Sequence, residues 1–338
     1  AEKPLICIGG GVFAAHAENE IRELADLMQI PVITTMMGIS VFPDDDQLFC
    51  GMIGTHGVKM ANAAVNECDV LFLVGARVGD RAVKTPLALE KTTKIIHIDI
   101  DPAEIGKNIG ADLPLVGDAK LVLQQMTELA KPMKHDERIA HIKNLGGERK
   151  YVEPAKGTVN PRVFIDRLAK KMPANVTVVA DVGQNQIWTC TEYKFRKEGR
   201  LLTSGGMGTM GYSVPAAIGA KMADNSRATV AICGDGAFQM SFMELATAVQ
   251  FGVDIKVVVM TNNRLGMVRE LQTNGYHDRQ TAVFLDGSPD FIKLAEAYGI
   301  PAMRVYDDDT MDKGVEMLAE HKGICLVEVV VDKDMPTL

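Results

Sequence analysis

The sequence has no basic tract, no long apolar run and no paired cysteine motif, and each absence narrows what the chain can be. Its 338 residues carry a formal net charge of -8 with nothing basic to relieve it. That excludes an electrostatic surface for nucleic acid. The longest apolar runs, such as "IKVVVM", have strand length and fall far short of a bilayer span. The six cysteines (7, 50, 68, 190, 233 and 325) are scattered, without CxxC or zinc-type spacing. They suit a reduced, cytoplasmic compartment better than a disulfide framework. No signal-peptide pattern opens the chain, because "AEKPLICIGGG" runs straight into a strand and a glycine turn. It opens on Ala rather than Met, so we expect a piece of a longer polypeptide. No sequence repeat stands out. What is present is ordinary globular composition, 47% hydrophobic and 24% charged, in a length that suits two domains.

The first part alternates short apolar runs with amphipathic stretches. "PLICIGGG" reads as strand and turn, and Ala15 to Gln29 has helical spacing at Ile21, Leu24, Leu27 and Met28. "IPVITT", "DVLFLVGAR", "KIIHIDID" and "LPLVGD" do not alternate, which predicts parallel strands buried on both faces. The charged, Pro-containing stretch 131–157 predicts a short helix and a linker between domains at 1–130 and 158–338. A second series follows, with strands in "NVTVVADVG", "RATVAICGDG", "DIKVVVMTNN" and "GICLVEVVVD", and helix over Asp290 to Tyr298. The expected fold class is α/β, with two doubly wound parallel-sheet domains.

In such sheets ligands bind beyond the C-terminal strand ends. Three polar turns of the second domain fall there: Asp181 to Gln184, Gly234 to Gly236, and Asn262 to Arg264. Gly234 and Gly236 permit a tight turn and close backbone approach, and Asp235 between them offers a hard oxygen. Ser241 and Glu244 have capping-box spacing, which predicts a helix start near Ser241. Free N–H groups there favour a phosphate. Asn262 ends the next strand with an amide oxygen. Carboxylate, amide, carbonyl and phosphate oxygens together make a Mg²⁺ shell. A lone Gly-Asp-Gly is more often a plain turn; the Asn turn after its own strand shifts the reading to a metal holding a diphosphate.

Gly-Asp-Gly followed by this Asn turn resembles the cofactor motif of thiamine-diphosphate-dependent enzymes. The resemblance implies Mg²⁺ ligands Asp235, Asn262 and the Arg264 carbonyl, with Asn263 as the alternative and Thr261 in place of the family's first Asn. It places Gln184 and Asn185 of "DVGQNQIW", with Gly234, Gly236 and Ala237, around the diphosphate. It sets the Gly208 carbonyl and Met210 of "GGMGTMGYSVPAAIGA" on the aminopyrimidine, Met210 as a wedge beneath the cofactor. "GMIGTHGVKMAN", "LVGARVGDR", "IIHIDIDPAEIGKN" and "GMVRELQ" are similar to acetolactate synthase large subunits. That family implies ThDP- and Mg²⁺-dependent decarboxylation of pyruvate and its condensation with a second 2-oxoacid, giving 2-acetolactate for branched-chain amino acids. Met267 and Leu271 would line the acceptor side.

The same resemblance implies FAD on the first domain. Gly9-x-Gly11-x-x-Ala14 after a strand is a dinucleotide-fingerprint variant. An NAD site wants an acid after the second strand, where this chain has Thr34 and Thr35. Gly9, Gly10, His56, Arg77 and Asp99 are the residues the resemblance sets on FAD. This chain departs from the family pattern at Leu271 for Trp, Asn185 for His, and "VGDR" for "FDDR". The family's cofactor-activating Glu belongs to an N-terminal domain that we expect outside these residues, so no catalytic residue is assigned within them. By themselves they are expected to be catalytically incomplete. Homo-oligomers and a regulatory small subunit are also implied. The rival readings are another ThDP enzyme, such as a carboligase, acetyltransferase or oxidase, and a non-catalytic nucleotide-binding module.

Overall fold

The computed structural model describes residues 1–147 and 151–338. The chain divides into two compact units, Ala1–Arg149 and Lys150–Leu338. The first holds β1 (Pro4–Ile8), β2 (Val32–Thr34), β3 (Phe49–Met52), β4 (Val70–Val74), β5 (Lys94–Asp99) and β6 (Leu113–Val116). All are parallel, in the order β3-β2-β1-β4-β5-β6. Side chains alternate between faces along a strand. Ile6 and Ile8 therefore join Leu24 and Leu123 in one core, while Leu5 and Cys7 join Ala61 and Ile142 in another. Helices thus cover both faces, which explains the unalternating apolar runs.

Several boundaries differ from those expected. The helix of 15–29 is Glu18–Met28, and the glycine turn sits on a separate one-turn helix, Gly11–Ala14. β6 is an exposed edge strand, with Leu113 49% and Val116 58% exposed; its Pro114 is tolerated there because an edge lacks one set of ladder bonds. Within 131–157 the helix is Asp136–Leu145, and it belongs to the first unit: Ile142 enters the core and Arg138 Nη1 donates to Glu67 at 2.6 Å. Residues 148–150 of the expected linker lie outside the described residues.

The second unit holds β7 (Val176–Ala180), β8 (Arg200–Thr203), β9 (Ala228–Gly234), β10 (Lys256–Thr261), β11 (Ala302–Val305) and β12 (Cys325–Val330). Again all are parallel, in the order β11-β12-β10-β9-β7-β8. From β7 the chain winds outward to β8, then returns to β9 on the other side. The crevice between diverging connections, where such sheets bind ligands, therefore lies between the ends of β7 and β9. In the first unit the same argument selects the ends of β1 and β4. The expected helix over 290–298 is Phe291–Ala297, capped by the Asp290 carboxylate on the N–H of Ile292.

Candidate cofactor site

β7, β9 and β10 are neighbours, so their three polar turns open on one sheet edge. Gly234 is extended and Asp235 begins a short helix, Asp235–Phe238, directly after β9. The helical segment expected near Ser241 does begin there, as a 3₁₀ turn that continues into the helix Leu245–Gln250, but without a side-chain cap. Ser241 precedes a 3₁₀ turn, Phe242–Glu244, and its hydroxyl has no hydrogen-bond partner. The helix Asp235–Phe238 is a separate element, and the capping spacing of Ser241 and Glu244 goes unused because the Ser241 side chain caps neither.

Asp235 is 2% exposed. Its Oδ1 accepts from Gly236 N–H at 2.8 Å, and its Oδ2 from Asn262 and Asn263 N–H at 3.2 and 2.6 Å. Burial raises its pKa to about 6, against these three N–H bonds, which favour the anion. Oδ2 already takes two donors, whereas Oδ1 takes one and keeps a second lone pair. The result is a desolvated carboxylate with spare acceptor capacity, which a cation would favour in its charged form. Asn262 turns its side chain to Gln184, donating Nδ2–H to Oε1 at 3.2 Å, while its own Oδ1 accepts from Arg264 N–H at 3.1 Å. Asn263 is exposed in the left-handed region at φ 53°, which Asn tolerates, and gives the turn its backbone groups. Arg264 is pinned by Asp286 at 2.7 Å and by the Phe284 ring.

A cavity of about 110 Å³ joins these turns, lined by Gln184, Asn185, Gly234, Asp235, Gly236, Ala237, Asn262, Arg264, Met210 and Met267 among others. Its glycines admit no side chain freely. A Cβ on Gly236 would lie 2.9 Å from Leu265 Cδ2 and 3.5 Å from Met210 Cε. Met210 packs on the core while reaching this wall. Gly208 stands apart, exposed with φ +67° in the loop before it, and does not line the cavity. Neither does Leu271, which is 61% exposed on the helix Gly266–Gly275. Asn185 lines the cavity, but its Nδ2 is spent on the carbonyls of Asp181 (2.8 Å) and Ile232 (3.1 Å), tying the ends of β7 and β9 together.

One residue that the sequence reading places in a polar turn but gives no role builds this site. Asp181 is fully buried; its carboxylate accepts from Gly211 N–H at 3.0 Å and Ser213 N–H at 2.7 Å. It thereby anchors the loop that carries Met210 and caps the helix Ser213–Ala223. Its position directly after an apolar strand, as for Asp235, was the available signal.

On the first unit, Gly9 and Gly11 pack backbone to backbone on Gly75: a Cβ on Gly9 would lie 2.1 Å from the Gly75 oxygen. Gly10 faces Met37 instead. Arg77 is exposed beyond β4, and Asp99 closes β5 with Oδ1 accepting from Asp101 N–H at 3.0 Å. His56 stands in the loop after β3, where Thr55 N–H donates to the Arg81 carbonyl. Gly9, Arg77 and Asp99 share one sheet edge, at the ends of adjacent strands β1, β4 and β5.

Two family models match these units: "Thiamine pyrophosphate enzyme, central domain" over residues 1–126, and "Thiamine pyrophosphate enzyme, C-terminal TPP binding domain" over 181–329. The chain belongs to the thiamine pyrophosphate enzymes. Among its relatives, a probable acetolactate synthase large subunit of Methanocaldococcus jannaschii is 40% identical over 98% of this chain and 58% of that protein. The acetolactate synthase of Arthrospira platensis is 39% identical over 99% of this chain and 59% of its own length. The large subunit of Lactococcus lactis subsp. lactis is 36% identical over 98% and 58%. The chain thus spans somewhat more than half the length of these relatives. The edge formed by β7, β9 and β10 lies within the matched TPP-binding domain, apart from the first strand. Among the described residues no helix is long and apolar enough to cross a membrane, and all six cysteines are free and buried.

Proposed function

We propose that the protein takes part in acetolactate synthesis, with Asp235, Asn262 and the Arg264 carbonyl holding Mg²⁺ and the diphosphate of thiamine diphosphate. The observation that carries this reading is Asp235: buried, charged only against desolvation, and set between two glycines at the crevice of the sheet. Among the described residues no group of three His, Cys, Asp or Glu could hold a metal. A cation here therefore draws further oxygens from its ligand, as Mg²⁺ does with phosphates. Bound thiamine diphosphate supplies the electron sink for decarboxylating a 2-oxoacid. Around it, Asp235 and Asn262 would fix the cation, Gly236 would admit the diphosphate, and Met210 would wall the ring. Met267 and the exposed Leu271 would face the second 2-oxoacid.

The cavity is smaller than the roughly 300–1,000 Å³ of pockets that enclose a whole ligand. It covers one end of such a cofactor, which favours an assembly in which another chain covers the rest. A homo-oligomer, joined by a small regulatory subunit, is part of this reading, as is a cytoplasmic setting. FAD would lie at the edge of β1, β4 and β5, where Gly9, Gly10, His56, Arg77 and Asp99 stand; the strand order supports a nucleotide there. The test is an assay of the intact protein on a panel of 2-oxoacids with Mg²⁺ and thiamine diphosphate. Acetolactate from pyruvate, with a flavin band near ~450 nm in the preparation, is expected. Turnover of another 2-oxoacid alone, or none with both cofactors bound, would refute it.

A further inference from the structure

Gln184 opens the helix Gln184–Glu192 at the edge of the cavity and is 4% exposed. Its amide has two N–H donors and one oxygen. Both donors are taken: Nε2 donates to the Met335 carbonyl at 2.9 Å and to Thr337 Oγ1 at 3.2 Å, with Glu270 Oε2 also in reach at 3.4 Å. No N–H is left for a phosphate oxygen, so the direct diphosphate contact expected of Gln184 does not fit this arrangement. Its oxygen accepts from Asn262 Nδ2. Room for this side chain exists only because residue 266 is glycine; a Cβ there would lie 1.9 Å from Gln184 Oε1.

The segment that holds Gln184 is itself held. Thr337 is 2% exposed; its hydroxyl donates to Glu270 Oε2, and its N–H donates to the same carboxylate at 3.3 Å. Trp188 Nε1 donates to the Pro336 carbonyl at 3.1 Å. The Glu270 carboxylate sets the direction of the bonds at Thr337, and it agrees with two backbone partners of fixed role, the Met335 carbonyl beside Gln184 Nε2 and the Arg264 N–H beside Asn262 Oδ1. An ionised carboxylate only accepts, so the Thr337 hydroxyl must spend its one proton on Glu270 and accept from Gln184. Gln184 then presents its oxygen to Asn262, and Asn262 must present Nδ2 to Gln184. What remains on the far side of the Asn262 amide is Oδ1, an acceptor suited to a cation. The flipped amide would aim N–H at the Arg264 N–H and at any metal.

We propose that Glu270, through Thr337 and Gln184, is a positioning residue that sets the orientation of the Asn262 amide and so creates the metal-binding face of the site. The inference rests on the thiamine diphosphate and Mg²⁺ reading above. Glu270→Gln is close in shape but supplies donors, so the chain of bonds loses its fixed direction. Thr337→Val removes the hydroxyl link, and Thr337→Ser restores it. In the intact protein, fluorescence of Trp188, the only tryptophan of the sequence and part of the cavity wall, reports titration with Mg²⁺ and thiamine diphosphate. Both E270Q and T337V should weaken that binding about five- to ten-fold, the scale of one to two hydrogen bonds. T337S should bind like the original, and thermal midpoints without cofactor should stay close together. Unchanged affinity in E270Q and T337V overturns the proposal, as does a lowered midpoint with unchanged affinity, which marks a structural link only. Asp235→Ala separates the two readings. If it too binds normally, the metal site itself is misassigned; if it alone loses binding, only the positioning role fails.

Discussion

Replacing Asp235 with Asn removes a single titrating group from the centre of the site, and the consequence can be worked from its surroundings. Burial carries the carboxyl from 3.8 to about 6, a difference worth roughly 3 kcal/mol between the protonation states. The folded-state pKa lies above the unfolded one, so protonation favours the fold. The contribution is complete below about 3.8 and is lost as the pH climbs through about 6. The amide of the Asp235→Asn variant does not titrate. It must set an N–H against one of the three backbone donors that Asp235 satisfies, but that penalty is the same at every pH. Urea unfolding of both proteins without cofactor, followed from about pH 3.5 to about pH 7.5, therefore isolates the carboxylate. The stability of Asp235→Asn relative to the original should rise by roughly 3 kcal/mol across that range and level off above about pH 7. Saturation with Mg²⁺ and thiamine diphosphate at about one hundred times Kd should return about 2.7 kcal/mol to the original protein and little to the variant. A difference that stays flat with pH would show that Asp235 is not desolvated. Equal stabilisation of the two proteins by the cofactors would show that it is no ligand.

Two further substitutions probe the glycine packing and the acceptor side. Gly9→Ala sets a Cβ 2.1 Å from the Gly75 oxygen and 2.6 Å from Ala76 Cα, backbone atoms that cannot swing aside; a loss of about 3 kcal/mol or more is expected in urea unfolding, and a midpoint like the original would contradict the packing. Leu271→Trp falls at a position 61% exposed, so stability should stay within about 0.5 kcal/mol while competition between pyruvate and 2-oxobutyrate as acceptor shifts towards 2-oxobutyrate; an unchanged product ratio would remove residue 271 from the acceptor pocket.

How far the site could be read from the sequence depended on how locally each feature is encoded. β7, β9, β10 and β12 announced themselves because strands buried on both faces need uninterrupted apolar runs. Asp235 and Asn262 followed, each directly after its own strand. The four-residue strands β3, β8 and β11 did not: "FCGM", "RLLT" and "AMRV" hold too few apolar residues to stand out, and pairing with a neighbour makes them strands. The short helix expected in 131–157 reads as part of the linker between domains because the stretch is rich in charge; the ion pair of Arg138 and the hydrogen bond of His141 with Glu67, 71 and 74 residues earlier in the chain, attach it to the first unit. The same limit hid the role of Gln184. Its partners Glu270 and Thr337 stand 86 and 153 residues away, and no spacing rule reaches that far. A motif names the donors and acceptors at a site. Which way a buried amide points is decided by the bond network that closes around it, and here that network includes a carboxylate, Glu270, to which the sequence pattern assigns no role.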